Sequence, residues 1–144
     1  MQFTIFASLA MLALGVSAGE GIHLANCYQN SALGQIPYSK MLYYPDDAQA
    51  NQGVVPSTNN QCWVTSPGAG GWKVWEGSAI TCNFPSNTFF TSDLQGGAGG
   101  YSVGQYAGSG KNNYKNYNCY RDNNHDLYND GTHRCWSVYY CLAA

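Results

Sequence analysis

The side chains that could perform acid–base chemistry are few and far apart in this chain. A hydrolase of the ribonuclease type needs a carboxylate base, a histidine acid and an arginine that binds the phosphate. We expect Glu76 to be the one glutamate inside the folded part, because Glu20 lies near the N-terminus. No local spacing brings such a site together, so we expect no enzymatic activity and keep a small ribonuclease-like hydrolase as the alternative. The residues available to that alternative are Glu76, His125, His133, Arg121 and Arg134.

Four oxygen-bearing residues of the C-terminal third are spaced like the first positions of an EF-hand loop. Leu127 stands at the sixth position, where glycine is needed, and His133 at the twelfth, where a bidentate glutamate is needed. The EF-hand is therefore excluded, and turn residues are the simpler interpretation beside a looser calcium site. No cluster is spaced for a transition metal, and we expect no cofactor. The four residues are Asp122, Asn124, Asp126 and Asp130.

Aromatic residues make up 15% of the chain, and most of them are tyrosines. Tyr and Trp side chains provide rigid contact surfaces with a polar edge. With neighbouring Asn and Asp residues they could bind a sugar, whereas the simpler role is to fill the core of a thin sandwich. Trp72 and Trp75 are three positions apart in an expected strand, so their side chains point to opposite faces. We predict that at most one of the two is exposed.

Short segments rich in Val, Ile, Thr and aromatic residues alternate with Gly, Pro and Asn, and long helical periodicity is missing. This pattern predicts an all-β domain, either an antiparallel sandwich or a compact barrel with long Gly- and Asn-rich loops. The loops are expected at 46–60 and 96–113. Turn residues near 122–124 and 130–131 predict a three-stranded meander at the C-terminal end. Strands are predicted near 21–28, 40–44, 61–65, 72–76, 78–84, 88–92, 114–121, 127–129 and 134–142.

An even number of cysteines predicts three disulfides in an exported chain. Six residues of extended strand would separate Cys135 from Cys141 by about 20 Å, so these two cannot pair. Cys119 and Cys135 are expected on the outer strands of the meander, which disfavours their bridge. We expect bridges from the N-terminal half to the C-terminal half, with one exchanged pair as an alternative. The six residues are Cys27, Cys62, Cys82, Cys119, Cys135 and Cys141.

The N-terminus carries an apolar run from Ile5 to about Val16, which is followed by small residues. This pattern predicts a secretory signal over 1–18, cleaved after Ala18, and one secreted domain over 19–144. The run is shorter than the roughly 20 residues of a transmembrane helix, so no membrane span is expected. We expect an extracellular monomer.

The net charge of −2 and the charged fraction of 10% limit the classes of partner. Nucleic-acid-binding proteins usually carry a basic stripe, so no nucleic-acid partner is expected. The same balance disfavours a killer-toxin-like or antimicrobial protein that binds anionic membranes, which we keep as a further alternative. An extracellular protein or glycan is the expected partner, bound through an aromatic and polar surface.

Several short motifs occur together in a fixed order along the domain. They are GIHLANC at 21–27, WEG at 75–77, CNFP at 82–85, CYRDNNH at 119–125 and CWSVYYC at 135–141. In these motifs the chain resembles fungal small secreted cysteine-rich proteins, particularly those of mushroom-forming fungi. The resemblance implies an extracellular, effector-like interaction protein, and it carries no catalytic residues to this chain.

Overall fold

The computed structural model describes residues 19–144, so the predicted secretory signal over 1–18 lies outside the described residues. Every strand pairing in this part is antiparallel, and three short 3-10 segments interrupt the loops. No helix between residues 19 and 144 is long and apolar enough to cross a membrane. The nine strands are β1 Gly21–Ser31, β2 Gly34–Tyr44, β3 Gln61–Trp63, β4 Ala79–Asn83, β5 Phe89–Leu94, β6 Tyr106–Asn112, β7 Asn116–Arg121, β8 Asp126–Asn129 and β9 His133–Ala143.

The strands form one sheet that curls into a nearly closed barrel, which confirms the all-β prediction. Its strand order is β3-β2-β1-β9-β7-β6-β5-β4, and β8 pairs with β9 beside this path. The two end strands, β3 and β4, are joined by the disulfide Cys62–Cys82. A covalent bond therefore closes the seam where the backbone ladder ends.

Alternation along β1 builds two hydrophobic clusters, one on each face of the sheet. Ile22 and Leu24 face the barrel interior, where they join the larger cluster. Ala25 and Cys27 belong to a second cluster on the outer face, which includes Leu127 of β8. The 3-10 segment Asp47–Asn51 contributes Ala50 to this second layer. β1 is thus covered on both sides, as its continuous burial from residue 21 to residue 25 requires.

A β-bulge interrupts the ladder between β1 and β9. Leu24 pairs with Tyr139 and Ala25 pairs with Ser137, so Val138 has no partner on β1. The carbonyl oxygen of Val138 instead accepts the backbone N–H of Asp122 at 3.0 Å. Bulges commonly re-aim side chains in this way, and here the bulge anchors the segment between β7 and β8.

The predicted meander is wrong, because β7 and β8 do not form a hairpin with each other. β7 pairs with the C-terminal half of β9, and β8 pairs with its N-terminal half. At the turn residues 122–124 the chain therefore passes from the C-terminal half of β9 to its N-terminal half. β9 lies between β1 and these two strands, so it is a central strand of the sheet.

This arrangement also corrects the expected disulfide pairing. Cys27–Cys135 joins the two halves of the chain as expected, since β1 and β9 are neighbours. Cys62–Cys82 and Cys119–Cys141 each stay within one half, contrary to the prediction. Cys119 lies directly opposite Cys141 because β7 runs beside β9. Neither Cys135–Cys141 nor Cys119–Cys135 is formed, as strand geometry predicts for the first pair.

Two strand predictions also fail, both in Gly-rich parts of the chain. Residues 72–76 form no strand, although Glu76 makes a single bridge with Leu94. β6 lies inside the predicted loop at 96–113. Its Gly110 is required for packing, because an added Cβ would lie 2.4 Å from Cζ of Phe90. The glycine that suggested flexibility in fact makes room for an aromatic ring.

Candidate functional site

Three aromatic rings, those of Tyr28, Trp72 and Trp136, form a cluster near the end of β1, which we call the aromatic surface. The ring centroid of Tyr28 lies 5.0 Å from that of Trp72 and 5.2 Å from that of Trp136, and the two indoles are 5.5 Å apart. Trp72 is 41% exposed, and the other two rings are half-buried. All three side chains therefore keep some exposure to solvent.

Neighbouring elements hold the aromatic surface in place. Tyr28 lies on β1 and Trp136 on β9, and the disulfide Cys27–Cys135 joins the residues that directly precede them. Trp72 lies in the loop between β3 and β4, where its Nε1–H donates to the carbonyl oxygen of Cys27 at 3.0 Å. The disulfide Cys27–Cys135 therefore fixes the positions of all three rings.

Trp75 takes the opposite role to Trp72. It is only 2% exposed, and its Nε1–H donates to Oδ1 of Asn26 at 3.0 Å. The prediction that at most one of the two indoles is exposed is confirmed. The reason differs from the expected strand alternation, because this segment is a loop that folds one indole into the barrel.

Charged groups border the aromatic surface. The guanidinium carbon of Arg134 lies 5.3 Å from the ring centroid of Trp136. Arg134 Nε donates to Oδ1 of Asp126 at 2.8 Å, and both side chains are nearly half exposed. The pair offers hydrogen-bond donors and acceptors beside an apolar face, which is the arrangement that an amphipathic ligand needs.

A second group of polar side chains gathers at the bulge, formed by His23, Asp122 and His125, which we call the histidine cluster. His125 Nε2 lies 3.2 Å from Asp122 Oδ2, and His23 Nδ1 lies 3.7 Å from the same oxygen. His23 Nε2 is 2.8 Å from Oδ1 of Asp47. His23 and Asp122 are buried, whereas the side chain of His125 is 23% exposed.

The surroundings of the histidine cluster shift its ionisation. Burial alone would lower the pKa of His23, but the carboxylates of Asp122 and Asp47 outweigh burial and raise that pKa. Burial would raise the pKa of Asp122, yet its contacts with His23 and Ser137 lower it to about 2. Asp122 therefore carries a negative charge at neutral pH.

Ser137, His23 and Asp47 form a hydrogen-bonded row that resembles a Ser-His-Asp arrangement in composition. Ser137 Oγ lies 2.7 Å from His23 Nδ1. A nucleophilic serine must reach a substrate, but Ser137 is 0% exposed and its hydroxyl also donates to the carbonyl oxygen of Tyr139. The row orients the imidazole and does not expose a nucleophile.

The structure gives the residues of the predicted hydrolase separate partners. Glu76 accepts a hydrogen bond from the hydroxyl of Tyr139, and burial with this contact raises the pKa of Tyr139. His133 bonds instead to Tyr38 Oη at 2.9 Å. His133 and Tyr139 are six residues apart on β9, a distance of about 20 Å.

The remaining members of that set are also placed. His125 belongs to the histidine cluster, and Arg134 borders the aromatic surface. Arg121 shares a neighbour with Glu76, since its guanidinium carbon lies 5.2 Å from the ring centroid of Tyr139.

The four residues of the looser calcium site also point to different partners. Asp122 faces the histidines, and Asp126 binds Arg134. Asp130 Oδ1 accepts backbone N–H groups of the turn that follows it, and Asn124 occupies a left-handed position with φ 60°. Two of the four therefore act as turn residues, the simpler of the two interpretations.

The opposite end of β1 borders a cavity of about 480 Å³. Glu20 lies at its rim, where it accepts hydrogen bonds from Tyr43 at 2.6 Å and Tyr117 at 3.0 Å and pairs with Lys115. The expectation that Glu20 precedes the fold is wrong. Burial would raise its pKa, but Lys115 and the two hydroxyls lower it, so Glu20 is an ionised part of the barrel end.

Fold and site together define a small antiparallel barrel that is closed by a disulfide and carries an aromatic surface at one end. Searches of protein-family models, curated proteins and solved structures find no significant match to this chain. Sequence reasoning missed the histidine cluster because His23 and His125 are about 100 residues apart and only the β1–β9 register brings them together.

Proposed function

We propose that this protein is an extracellular binding protein, effector-like in its role, that holds a glycan on its aromatic surface. The observation that carries the proposal is the cluster of three partly exposed rings formed by Tyr28, Trp72 and Trp136. Sugar rings present C–H groups on one face and hydroxyl groups at their edges. The aromatic rings would pack against the C–H groups, and the pair of Arg134 and Asp126 would form hydrogen bonds with the hydroxyl groups.

Rigidity supports this proposal. Binding costs less when the contacting side chains are ordered before the ligand arrives. The disulfide Cys27–Cys135 fixes the strands of Tyr28 and Trp136, and the bond from its indole to Cys27 fixes Trp72. The aromatic surface is thus organised without a ligand.

The size of the surface favours a glycan over a protein partner. A standard protein interface buries about 800 Å² on each partner. Fully exposed, three large aromatic side chains would supply about 450–750 Å², and these rings are only partly exposed. A few sugar units need less area, and the net charge of −2 suits a neutral oligosaccharide.

Three disulfides support an extracellular location, because disulfides persist in oxidising compartments. The apolar run at the N-terminus supports export by the same route. The resemblance to fungal small secreted cysteine-rich proteins supports an action on the surface of a host or a competing microbe.

The test is an array of plant and fungal cell-wall oligosaccharides, followed by titration calorimetry with each ligand that binds. We expect Trp72→Ala to weaken binding about tenfold or more, because it removes the most exposed ring. Trp63→Ala is the matched control, since Trp63 is 49% exposed but stacks on Tyr38 outside the aromatic surface. An array without any bound glycan, or equal losses in both variants, would refute the proposal.

A further inference from the structure

We propose that His23, Asp122 and His125 bind a divalent transition-metal ion, and that Zn²⁺ is the ion that best fits them. The three residues come from β1 and from the segment between β7 and β8. Their ligand atoms all lie within 4.8 Å of one another. The site is separate from the aromatic surface and does not depend on glycan binding.

The distances match a tetrahedral ion. Zn²⁺ binds histidine nitrogen and carboxylate oxygen at about 2.0–2.1 Å, which places neighbouring ligand atoms about 3.3–3.4 Å apart. Asp122 Oδ2 lies 3.2 Å from His125 Nε2 and 3.7 Å from His23 Nδ1. The third pair of ligand atoms, on His23 and His125, lies within 4.8 Å, so the two imidazoles move towards each other when an ion binds.

The second hydrogen-bonding atom of each buried ligand is already engaged. His23 Nε2–H donates to Asp47, which fixes the tautomer and leaves the lone pair on Nδ1. A carboxylate behind a ligating histidine is the common outer-shell arrangement of zinc sites. Asp122 Oδ1 accepts the backbone N–H of Asn123 at 2.8 Å, so Oδ2 is the oxygen left for an ion.

Ser137 can release the nitrogen that the ion requires. Its Oγ lies 2.7 Å from His23 Nδ1 and 3.2 Å from the carbonyl oxygen of Tyr139. An ion on Nδ1 takes the place of the contact with Ser137, so the serine side chain must turn away from Nδ1. Its hydroxyl then keeps the carbonyl oxygen of Tyr139 as hydrogen-bond partner.

The backbone holds the ligands on fixed elements. Asp122 N–H donates to Val138 at the bulge, and Asn124 N–H donates to the carbonyl oxygen of Ser137 at 3.0 Å. Ser137 N–H in turn donates to the carbonyl oxygen of His125 at 3.0 Å. The segment that carries two of the ligands is thus bonded to β9, whose neighbour β1 carries the third.

Charge and access also suit a divalent cation. Asp122 offers a carboxylate oxygen, and the two imidazoles add nitrogen donors that Ca²⁺ and Mg²⁺ do not favour. His125 is partly exposed, which provides a path from solvent. A water molecule would fill the fourth position, as in zinc sites with three protein ligands.

The test uses the exported protein after treatment with a chelator. We expect calorimetry to show one Zn²⁺ bound per chain with micromolar or tighter affinity, and Co²⁺ to give the visible bands of a four-coordinate site. His125→Gln changes a partly exposed ligand and is expected to weaken binding at least tenfold. Asp47→Asn, which acts through His23, is expected to weaken it about 10- to 100-fold.

His133→Gln is the matched control, because it removes a histidine that bonds to Tyr38 outside the cluster. It should bind Zn²⁺ as the unchanged protein does. The proposal is overturned if the unchanged protein binds no Zn²⁺ saturably, if His125→Gln binds with unchanged affinity, or if His133→Gln loses as much affinity as His125→Gln. Melting curves of every variant show that the fold is retained.

Discussion

The side-chain oxygen of Asn26 accepts two hydrogen bonds inside the barrel, one from the indole of Trp75 and one from the hydroxyl of Ser39, each at 3.0 Å. The Ser39 hydroxyl oxygen also accepts the backbone N–H of Lys73 at 2.9 Å. Through this chain of bonds one amide on β1 fixes the loop that carries both Trp72 and Trp75. The aromatic surface therefore depends on a polar group beneath it.

We expect Asn26→Ala to lower the free energy of unfolding by about 2–3 kcal/mol, because it leaves the Trp75 N–H buried without an acceptor. The measurement is urea denaturation followed by tryptophan fluorescence. Asn116→Ala is the control, since Asn116 is an exposed residue of β7 and should change stability by less than about 0.5 kcal/mol. Equal stability of Asn26→Ala and the unchanged protein would contradict the role given to this amide.

Gly110 provides a second test of packing. We expect Gly110→Ala to destabilise the fold by about 1–3 kcal/mol, because the new Cβ would lie 2.4 Å from Cζ of the buried Phe90 ring. Gly96→Ala should be neutral or slightly stabilising, since no atom lies within 4 Å of its added Cβ. Thermal unfolding of the two variants should separate them, and similar melting temperatures would count against this account of β6.

The lowered pKa of the buried Lys40 should make this residue's contribution to stability rise at alkaline pH. Burial lowers its pKa to about 8, and the side chain is only 5% exposed, 2.7 Å from Oε1 of Gln61. The folded pKa lies below the unfolded value of about 10.4, so the unfolded state binds more protons between these values and stability increases with pH.

Between pH 8 and pH 10 we expect Lys40 to contribute a gain of about 1–2 kcal/mol, reduced by the attraction of the ammonium to the Trp63 ring 3.9 Å away. Urea denaturation across this range measures it. Lys40→Met should abolish the rise, and Lys111→Met on the exposed face of β6 should keep it. Buried tyrosines such as Tyr44 and Tyr117 have raised pKa values and lower stability near pH 10 in both proteins. The burial effect is refuted if the unchanged protein and Lys40→Met show the same pH profile.

The disulfide Cys62–Cys82 should stabilise the two end strands of the sheet, β3 and β4. Replacing both cysteines with alanine is expected to cost about 3 kcal/mol, as its 20-residue separation implies. Hydrogen exchange should become faster in β3 and β4, because β3 pairs with β2 through only three residues, and β1 and β9 should stay protected.

The control replaces Cys119 and Cys141, which lie on strands that remain joined by a backbone ladder. This variant should keep the exchange rates of β3 and β4 relative to the rest of the sheet. If the two double variants show the same pattern of exchange, the seam is held by something other than its disulfide.

The sequence was sufficient for local features and for the class of fold. Alternation and turn residues predicted the all-β architecture, and the strands around β1 and β9 were placed correctly because their apolar residues are dense. The spacing of Trp72 and Trp75 predicted that at most one of them is exposed, but a loop and not strand alternation separates the two indoles. The glycines of β6 predicted a loop, but Gly108 and Gly110 alternate with the two-residue period of a strand and allow close packing.

Features that depend on strand order could not be read from the chain. The pairing of Cys119 with Cys141 requires that β7 lies beside β9, and local turn signals at 122–124 favoured a hairpin instead. The histidine cluster depends further on a bulge at Val138 that shifts the register by one residue. Such a shift leaves no local pattern, because it is set by the packing of both faces of β9.

The covalent seam between β3 and β4 makes the shape of this protein conditional on the redox state around it. Without that bond the barrel would be an open sheet with two unpaired edges, and such edges recruit strands from other molecules. Production in a reducing cytoplasm should therefore yield oligomers or aggregates, whereas an oxidising export route should yield the closed barrel. Oxidation of Cys62 and Cys82 would thus be the step that completes the barrel.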